Sequence, residues 1–142
     1  MRKIILLIAL LCVGFTLHAQ KVNISTLTVD YGTWVPEKPG SEDGEWIMTP
    51  PAQYVTLFKI SKTTIKHITD DGKSTYFVDE DTYYIDKTKH WTQMDITSDT
   101  GLNYFVIIDD NKQNLRFYFS EDDNVIRLIR FTYKKVWKEK ND

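Results

Sequence analysis

The sequence predicts an all-β protein, an antiparallel meander of about eight to nine strands that closes into a β-barrel or a barrel-like sandwich. Three observations predict this fold. No helical periodicity of useful length follows residue 20. Short runs of β-branched and aromatic residues recur instead, at intervals of about 8 to 14 residues. Turns rich in Asp, Asn and Gly separate these runs, and such residues favour hairpin connections.

Nine runs are expected to form strands. They cover residues 22–31, 54–60, 63–69, 74–79, 82–86, 90–97, 102–108, 113–120 and 125–136. An open sheet of that size would leave exposed hydrogen-bonding edges, so we expect the sheet to close or to fold over itself. Residues 36–45 contain two prolines and two glycines and are expected to be irregular.

The C-terminal third of the chain predicts a strand register. A two-residue turn at Asp110-Asn111 would place three apolar pairs on one face. These pairs are Val106/Leu115, Tyr104/Phe117 and Leu102/Phe119. A second turn at Asp122-Asp123 would give the pairs Phe119/Ile126, Phe117/Leu128 and Leu115/Arg130. Both turns put the same residues of run 113–120 inside, and a one-residue slip would invert the faces.

The opposite face of these strands is half apolar. It carries Phe105, Ile107, Tyr118 and Ile129 beside polar residues. We therefore expect something to cover part of it: the N-terminal segment, a second sheet or a partner molecule.

Residues 1–19 are predicted to be a cleavable signal peptide. Arg2 and Lys3 precede an uncharged, largely apolar run, and small Ala19 precedes the expected cut. The run is too short for a membrane span, which needs roughly 20 residues. We expect residues 20–142 to form one secreted β domain with no membrane span after cleavage. Its expected location is the periplasm or the cell surface of a Gram-negative bacterium.

The single cysteine, Cys12, lies inside this leader. An alternative is that Cys12 is lipidated, although Leu10 and Leu11 occupy positions where lipoprotein signals favour small residues. Cleavage at Ala19 would leave a domain without cysteine, stabilised by its core alone. It would also take the formal net charge from −2 to about −4. That acidity argues against a nucleic-acid partner, which a basic face would bind.

Gly32-Thr33-Trp34 near the first strand and Arg130 on the last long strand form a suggestive pair. This pair resembles the lipocalins and wider calycins, in which an Arg packs on the indole of a Gly-X-Trp motif and closes one barrel end. The resemblance implies that Trp34 and Arg130 have this role here and that the barrel holds a small apolar or amphipathic ligand. The predicted register points Arg130 inward, where a lone charge needs such a partner.

Candidate ligand-binding residues are aromatic or apolar. Tyr104, Phe117 and Leu128 are expected to line the barrel interior. Trp46 follows a polar, Gly-containing loop and precedes two prolines, a setting in which its indole can be exposed.

No metal, cofactor or catalytic motif is predicted. The acidic turns lack the ligand spacing of a calcium loop, and Asp and Asn are what hairpin turns select. Only His67 and His90 follow the leader, and no nucleophile elbow, zinc motif or phosphate loop occurs. We therefore expect a protein that is not an enzyme.

The sequence leaves three functions open. The first is a secreted, non-catalytic binding protein that holds a small apolar or amphipathic ligand in a lipocalin-like barrel. The second is a cell-envelope module that binds protein or glycan through an exposed sheet face. The third is a hydrolase that uses a pair of carboxylates.

Overall fold

The computed structural model describes residues 21–121 and 123–139. The predicted signal peptide and Cys12 lie outside this part of the chain. The described residues form eleven strands and one turn of 3-10 helix at Glu80–Thr82. The strands are β1 (Val22–Pro36), β2 (Gly44–Met48), β3 (Ala52–Gln53), β4 (Leu57–Ile60), β5 (Thr64–Thr69), β6 (Gly72–Val78), β7 (Tyr84–Asp86), β8 (Trp91–Ser98), β9 (Asn103–Asp109), β10 (Asn114–Ser120) and β11 (Ile126–Lys138).

Eight of these strands form a closed antiparallel barrel, which confirms the predicted fold class. Their order around the barrel is β1-β4-β5-β6-β8-β9-β10-β11, and β11 pairs with β1 to close it. Closure gives each of the eight strands a neighbour on both sides, so the exposed-edge problem of an open meander is removed.

Strand β1 has two roles because it is much longer than its neighbours. One edge pairs with β11 from Val22 to Thr33, with register shifts between Ser25 and Thr28. The other edge pairs in turn with β4, β3 and β2. The segment 36–45 was expected to be irregular, and residues 37–43 are; its ends are the last residue of β1 and the first two residues of β2. These two strands form a ribbon that runs beyond the barrel wall.

The barrel interior is a packed aromatic core. Phe117 lies at its centre, 2% exposed, with its ring 5.7 to 5.8 Å from those of Phe58, Tyr76 and Phe131. Aliphatic side chains fill the space around the rings. They include Ile24, Ile60, Ile65, Met94, Ile96, Val106, Ile108 and Leu115. Aromatic rings at these separations contribute packing beyond their buried area.

The predicted register of β9 against β10 is wrong by two residues. Val106 pairs with Phe117 and Ile108 with Leu115. The connection is longer than predicted, because the Asp109 carboxylate accepts the amide of Lys112 at 3.0 Å and Gln113 has a φ of 55°. A shift of two residues keeps every side chain on its predicted face.

The predicted register of β10 against β11 is wrong by one residue. Phe117 pairs with Ile129, and Leu115 pairs with Phe131. The connection spans residues 121–125, with Asn124 in the left-handed region at a φ of 60°. An odd shift inverts the faces of β11. Leu128 and Arg130 therefore point outward, and Ile129, predicted to lie outside, packs against the core.

Strand β2 covers part of the outer face of the barrel. Trp46 packs edge-on against Trp34, with centroids 5.5 Å apart, and lies 5.7 Å from Tyr118. Gly32 allows this approach, since a Cβ there would lie 2.5 Å from Met48 Sδ. The half-apolar outer face is thus partly covered by a segment of the same chain. Leu128, opposite Gly32, is 4% exposed.

Candidate functional site: a cleft between two hairpins

Strands β9 and β10 separate toward one end of the barrel. Their pairing ends at Phe105 and Tyr118. Beyond this point each strand stays paired with its other neighbour, β9 with β8 as far as Asn103 and β10 with β11 as far as Ser120. The wall therefore opens between the tips of the β8–β9 and β10–β11 hairpins. We call this opening the β9–β10 cleft.

The cleft has two connected parts. The first, the tip cavity, has a volume of about 890 Å³ and is lined by residues 101–104, residues 119–121 and Asp123. The second, the outer groove, has a volume of about 550 Å³ and continues along the outer face. Asn103, Tyr104, Phe119 and Ser120 line both parts. Both volumes lie in the range of small-molecule sites, about 300 to 1,000 Å³.

Aromatic rings form the floor of the cleft. Tyr104 and Phe119 lie on its inner side, with centroids 5.5 Å apart. Phe105 and Tyr118 lie on its outer side at 6.1 Å, with their planes tilted by 35°. Leu102 adds an exposed aliphatic side chain at the tip, with 58% of its surface accessible.

Polar groups surround this floor. Thr97 donates a hydrogen bond to the side-chain oxygen of Asn103 at 3.0 Å. Ser120 faces Asn103 across the opening, two positions beyond the last pair. Backbone groups at the end of each strand also border the gap where the ladder has stopped. A ligand in the cleft would therefore meet stacking surfaces and hydrogen-bonding groups together.

Hydrogen bonds within its own turn stabilise the tip of each hairpin, which explains why the two hairpins diverge. In the β8–β9 turn, Ser98 accepts the amide of Leu102 at its hydroxyl at 3.0 Å, and Gly101 has a φ of 88°. In the β10–β11 turn, Arg127 Nη2 donates to Asp123 Oδ2 at 2.8 Å, and Arg127 Nη1 lies 3.5 Å from Glu121 Oε2. These local bonds set each tip independently of the other.

The charged side chains that line the cleft are negative. Among the described residues, every charged side chain lining either part is a carboxylate, from Asp79, Asp95, Glu121 and Asp123. Hydrogen bonds from Arg127 and from the amide of Val125 lower the pKa of Asp123 to about 2. Asp123 therefore stays ionised down to strongly acidic pH.

Two of the four predicted ligand-binding residues lie on the inner side of the barrel. Tyr104 lines the cleft, as a ligand contact would require. The Phe117 ring centroid lies 6.1 Å from that of Tyr104, but Phe58, Tyr76 and Phe131 enclose the Phe117 ring. The structure thus places Tyr104 at the boundary between the packed core and the open cleft.

The other two lie on the outer face. Leu128 is buried on the outer face, against the covering strand β2. It was predicted to lie inside because the predicted register was wrong by one residue. Trp46 is partly exposed and contacts Tyr118, which lines the outer groove. The four residues therefore do not form one pocket.

Trp34 and Arg130, predicted to close one barrel end, have other partners. Both lie on the outer face, where Trp34 packs against Trp46. The Arg130 guanidinium forms an ion pair with Asp30, which is opposite it on β1. The inward orientation predicted for Arg130 is wrong, for the same reason as that of Leu128.

Sequence reasoning did not assign Asn103, Phe119 or Ser120 to a site. Phe119 was recognised as an inner-face residue, but the opening beside it depends on where pairing stops. The available signal was the half-apolar outer face, since Phe105 and Tyr118 are the outer floor of the cleft.

His67 is a half-buried histidine on β5 whose ring packs among the aromatic side chains of the interior. Its ring stacks on Phe58 with centroids 4.1 Å apart, and its Nε2 lies 3.0 Å from Thr56 Oγ1. Burial lowers its pKa to about 4. Neutral His67 is thus a packing element of the interior, remote in sequence from the residues that line the cleft.

The described ranges, 21–121 and 123–139, contain neither a cluster of metal-binding side chains nor a helix that could span a membrane. No three side chains of His, Cys, Asp or Glu converge there as a metal site would require. No helix in these ranges is long and apolar enough to cross a bilayer.

Comparisons with known proteins return no match, whether to a family model, to a curated protein or to a solved structure. The fold and the cleft define the class of this protein as a closed eight-stranded antiparallel barrel with an opening in its wall. The resemblance of Gly32-Thr33-Trp34 and Arg130 to the lipocalins stays a prediction.

Proposed function

We propose that this is a secreted, non-catalytic binding protein that holds a small amphipathic ligand in the β9–β10 cleft. The observation that carries the proposal is the loss of pairing beyond Phe105 and Tyr118, which opens the barrel wall over an aromatic floor. Strands in a closed barrel gain hydrogen bonds by pairing to their ends, so an unpaired, roomy end is a feature that binding would use.

The packed interior argues for the cleft over the barrel centre. Leu115, Val106 and Met94 are fully buried there, and Phe117 is enclosed by other rings. A ligand at the centre would have to displace these side chains, and each large one contributes about 2 to 5 kcal/mol to stability. A ligand in the cleft displaces none of them.

The mixed lining argues for an amphipathic ligand. Leu102 and Phe119 offer apolar surface at the tip, while Asn103 and Ser120 offer hydrogen-bonding groups beside it. Sites for small molecules combine an apolar lining with a few polar groups that set orientation. A purely apolar ligand would leave those polar groups desolvated without a partner, which costs free energy.

The experiment is a calorimetric titration with decyl maltoside, a nonionic amphiphile, below its micelle-forming concentration. We expect saturable one-to-one binding. Leu102→Ser should weaken it about five- to tenfold, because the leucine methyl groups leave the interface. Ile85→Ser on β7 is the matched control, since Ile85 is also exposed, at 49%, but does not line the cleft.

Two results would overturn this proposal. One is the absence of saturable binding to the wild-type protein. The other is an equal loss of affinity in Leu102→Ser and Ile85→Ser, because the amphiphile would then be coating exposed apolar surface in general.

The alternative is an envelope module that binds a glycan along the outer groove. The observation in its favour is that the Phe105 and Tyr118 rings lie beside Thr97, Asn103 and Ser120, a combination that stacks on and hydrogen-bonds to sugar rings. Maltose without a tail is the discriminating ligand. If maltose binds as tightly as decyl maltoside, the glycan function is favoured.

A further inference from the structure

We infer that the amphipathic ligand of the β9–β10 cleft carries a positive charge, so that the protein selects cationic amphiphiles over neutral and anionic ones. This inference rests on the proposed function and specifies the class of ligand. It combines three features of the cleft: its volume, its aromatic floor and the sign of the charges around it.

The first step concerns the aromatic floor. Phe105 and Tyr118 lie next to each other on the outer side, and Trp46 extends the aromatic surface beyond Tyr118. The faces of such rings carry negative electrostatic potential and attract cations, above all Lys-like and quaternary ammonium groups. This floor is suited to an ammonium head group and would gain nothing from a sulfate or carboxylate.

The second step concerns the outer groove, where Asp95 and Asp79 border the same space as Phe105 and Tyr118. Within residues 21–121 and 123–139, no side chain forms an ion pair or a hydrogen bond with the Asp95 carboxylate. Its charge is therefore available to a ligand. A carboxylate beside an aromatic face strengthens cation binding, because both attract the same charge.

The third step concerns the tip cavity, where the one nearby guanidinium is already engaged. Arg127 binds both Asp123 and Glu121, so two carboxylates share one cation. A second positive charge, supplied by a ligand, would balance this site. An anionic head group would meet the carboxylates at close range, which is unfavourable.

The opposite end of the barrel shows a contrasting charge. A small cavity of about 100 Å³ near the start of β1 is lined by Lys21, Lys59 and Lys66 together with uncharged residues. Lysines thus line that cavity, with Lys59 in an ion pair with Glu139 at 3.3 Å, and carboxylates line the cleft. This asymmetry would orient an approaching cation toward the cleft, and salt would weaken the effect.

The test is a titration with three amphiphiles that share a decyl tail: decyltrimethylammonium, decyl maltoside and decyl sulfate, each below its micelle-forming concentration. At low salt we expect decyltrimethylammonium to bind about tenfold more tightly than decyl maltoside, and decyl sulfate to bind most weakly. In about 0.5 M NaCl the preference should shrink to about twofold, because the exposed carboxylates are screened.

Two variants locate the effect in the cleft. Asp95→Asn and Glu121→Gln should each weaken binding of decyltrimethylammonium about threefold more than they weaken binding of decyl maltoside. Asp71→Asn, on the exposed β5–β6 turn, removes the same charge outside the cleft and is the matched control. Its binding constants should equal those of the wild-type protein.

The outcomes separate the two proposals. If none of the three amphiphiles binds saturably, the proposed function itself fails. If decyl maltoside binds but decyl sulfate equals or exceeds decyltrimethylammonium, only the charge selectivity is overturned. The selectivity also fails if Asp71→Asn weakens cation binding as much as Asp95→Asn does, since attraction would then come from net charge alone.

Discussion

The two ends of the β9–β10 strand pair have opposite properties. At one end, from Val106 to Asp109, β9 is fully paired with β10, and the β9 side chains are buried on both faces of the sheet. At the other end, near Asn103 and Ser120, pairing has stopped and the side chains are exposed. The same two strands thus contribute the stability of the barrel at one end and a candidate binding site at the other.

The paired end centres on the buried Asp109 carboxylate, although Asn114 Oδ1 and Arg116 Nε beside it have no hydrogen-bond partner among the described residues. Asp109, 2% exposed, accepts the Trp91 indole N–H at 3.0 Å, an Arg116 Nη2 hydrogen at 3.1 Å and the Lys112 amide at 3.0 Å. The Lys89 ammonium and the Arg116 guanidinium also lie 4.7 and 4.9 Å from the centre of the Trp91 ring. The Asp109 carboxylate already accepts three hydrogen bonds and is not available to a ligand, whereas the Asp95 carboxylate of the cleft accepts none from a described side chain.

The largest expected effect is a contrast between Phe117→Ala and Leu102→Ala. Phe117 fills the centre of the core, so its truncation should reduce the free energy of unfolding by about 3 to 5 kcal/mol. Leu102 is exposed at the open end, so its truncation should change that free energy by less than about 0.5 kcal/mol. Urea denaturation measures both. Comparable losses for the two variants would mean that the open end is packed like the core.

The next effect concerns charged pairs at the two ends. Asp109→Ala should lower the free energy of unfolding by about 3 to 5 kcal/mol, because it leaves the largely buried Arg116 guanidinium without its partner. Asp123→Ala removes an exposed partner of Arg127 and should leave the urea midpoint unchanged. A midpoint shift in Asp123→Ala as large as that in Asp109→Ala would show that the β10–β11 tip is part of the stable unit.

A smaller effect is a pH dependence that originates in the interior. The pKa of His67 is about 4 in the folded protein and about 6.5 in an unfolded chain. The unfolded chain therefore takes up this proton more readily, and stability falls as the pH drops from about 6.5 to about 4. We expect a loss of about 1 to 2 kcal/mol, which allows for the part of the ring that water still reaches.

The control for this dependence is His67→Phe, which keeps the stacking on Phe58 and cannot take up a proton. Urea denaturation across the same pH range should show a shallower decline in the variant than in the wild-type protein. An identical decline in both would assign the effect to other groups.

Much of the barrel was accessible from sequence because alternation is a local signal. Leu115, Phe117 and Phe119 alternate with polar or outward residues, and this pattern fixes the inner face of β10 however the turns are built. Registers were less accessible. They depend on the lengths of the connections, in which Gln113 and Asn124 adopt the left-handed backbone conformation. Neither residue type predicts that conformation as a glycine would.

The site was less predictable than the fold, because it depends on contacts between distant segments. The packing of Trp46 on Trp34 requires the chain to return after a loop that looked irregular. The opening between Asn103 and Ser120 depends on two hairpins whose tips are each held by their own hydrogen bonds. No sequence pattern within β9 or β10 predicts where the pairing between these two strands ends.

The most direct test of the cleft as the binding site is backbone amide NMR during titration with decyltrimethylammonium. The account predicts that chemical-shift changes concentrate at residues 95–105 and 118–126, with little change at Leu115, Ile65 or the β4–β5 hairpin. Shifts centred on those interior positions, or spread evenly over the exposed surface, would contradict it.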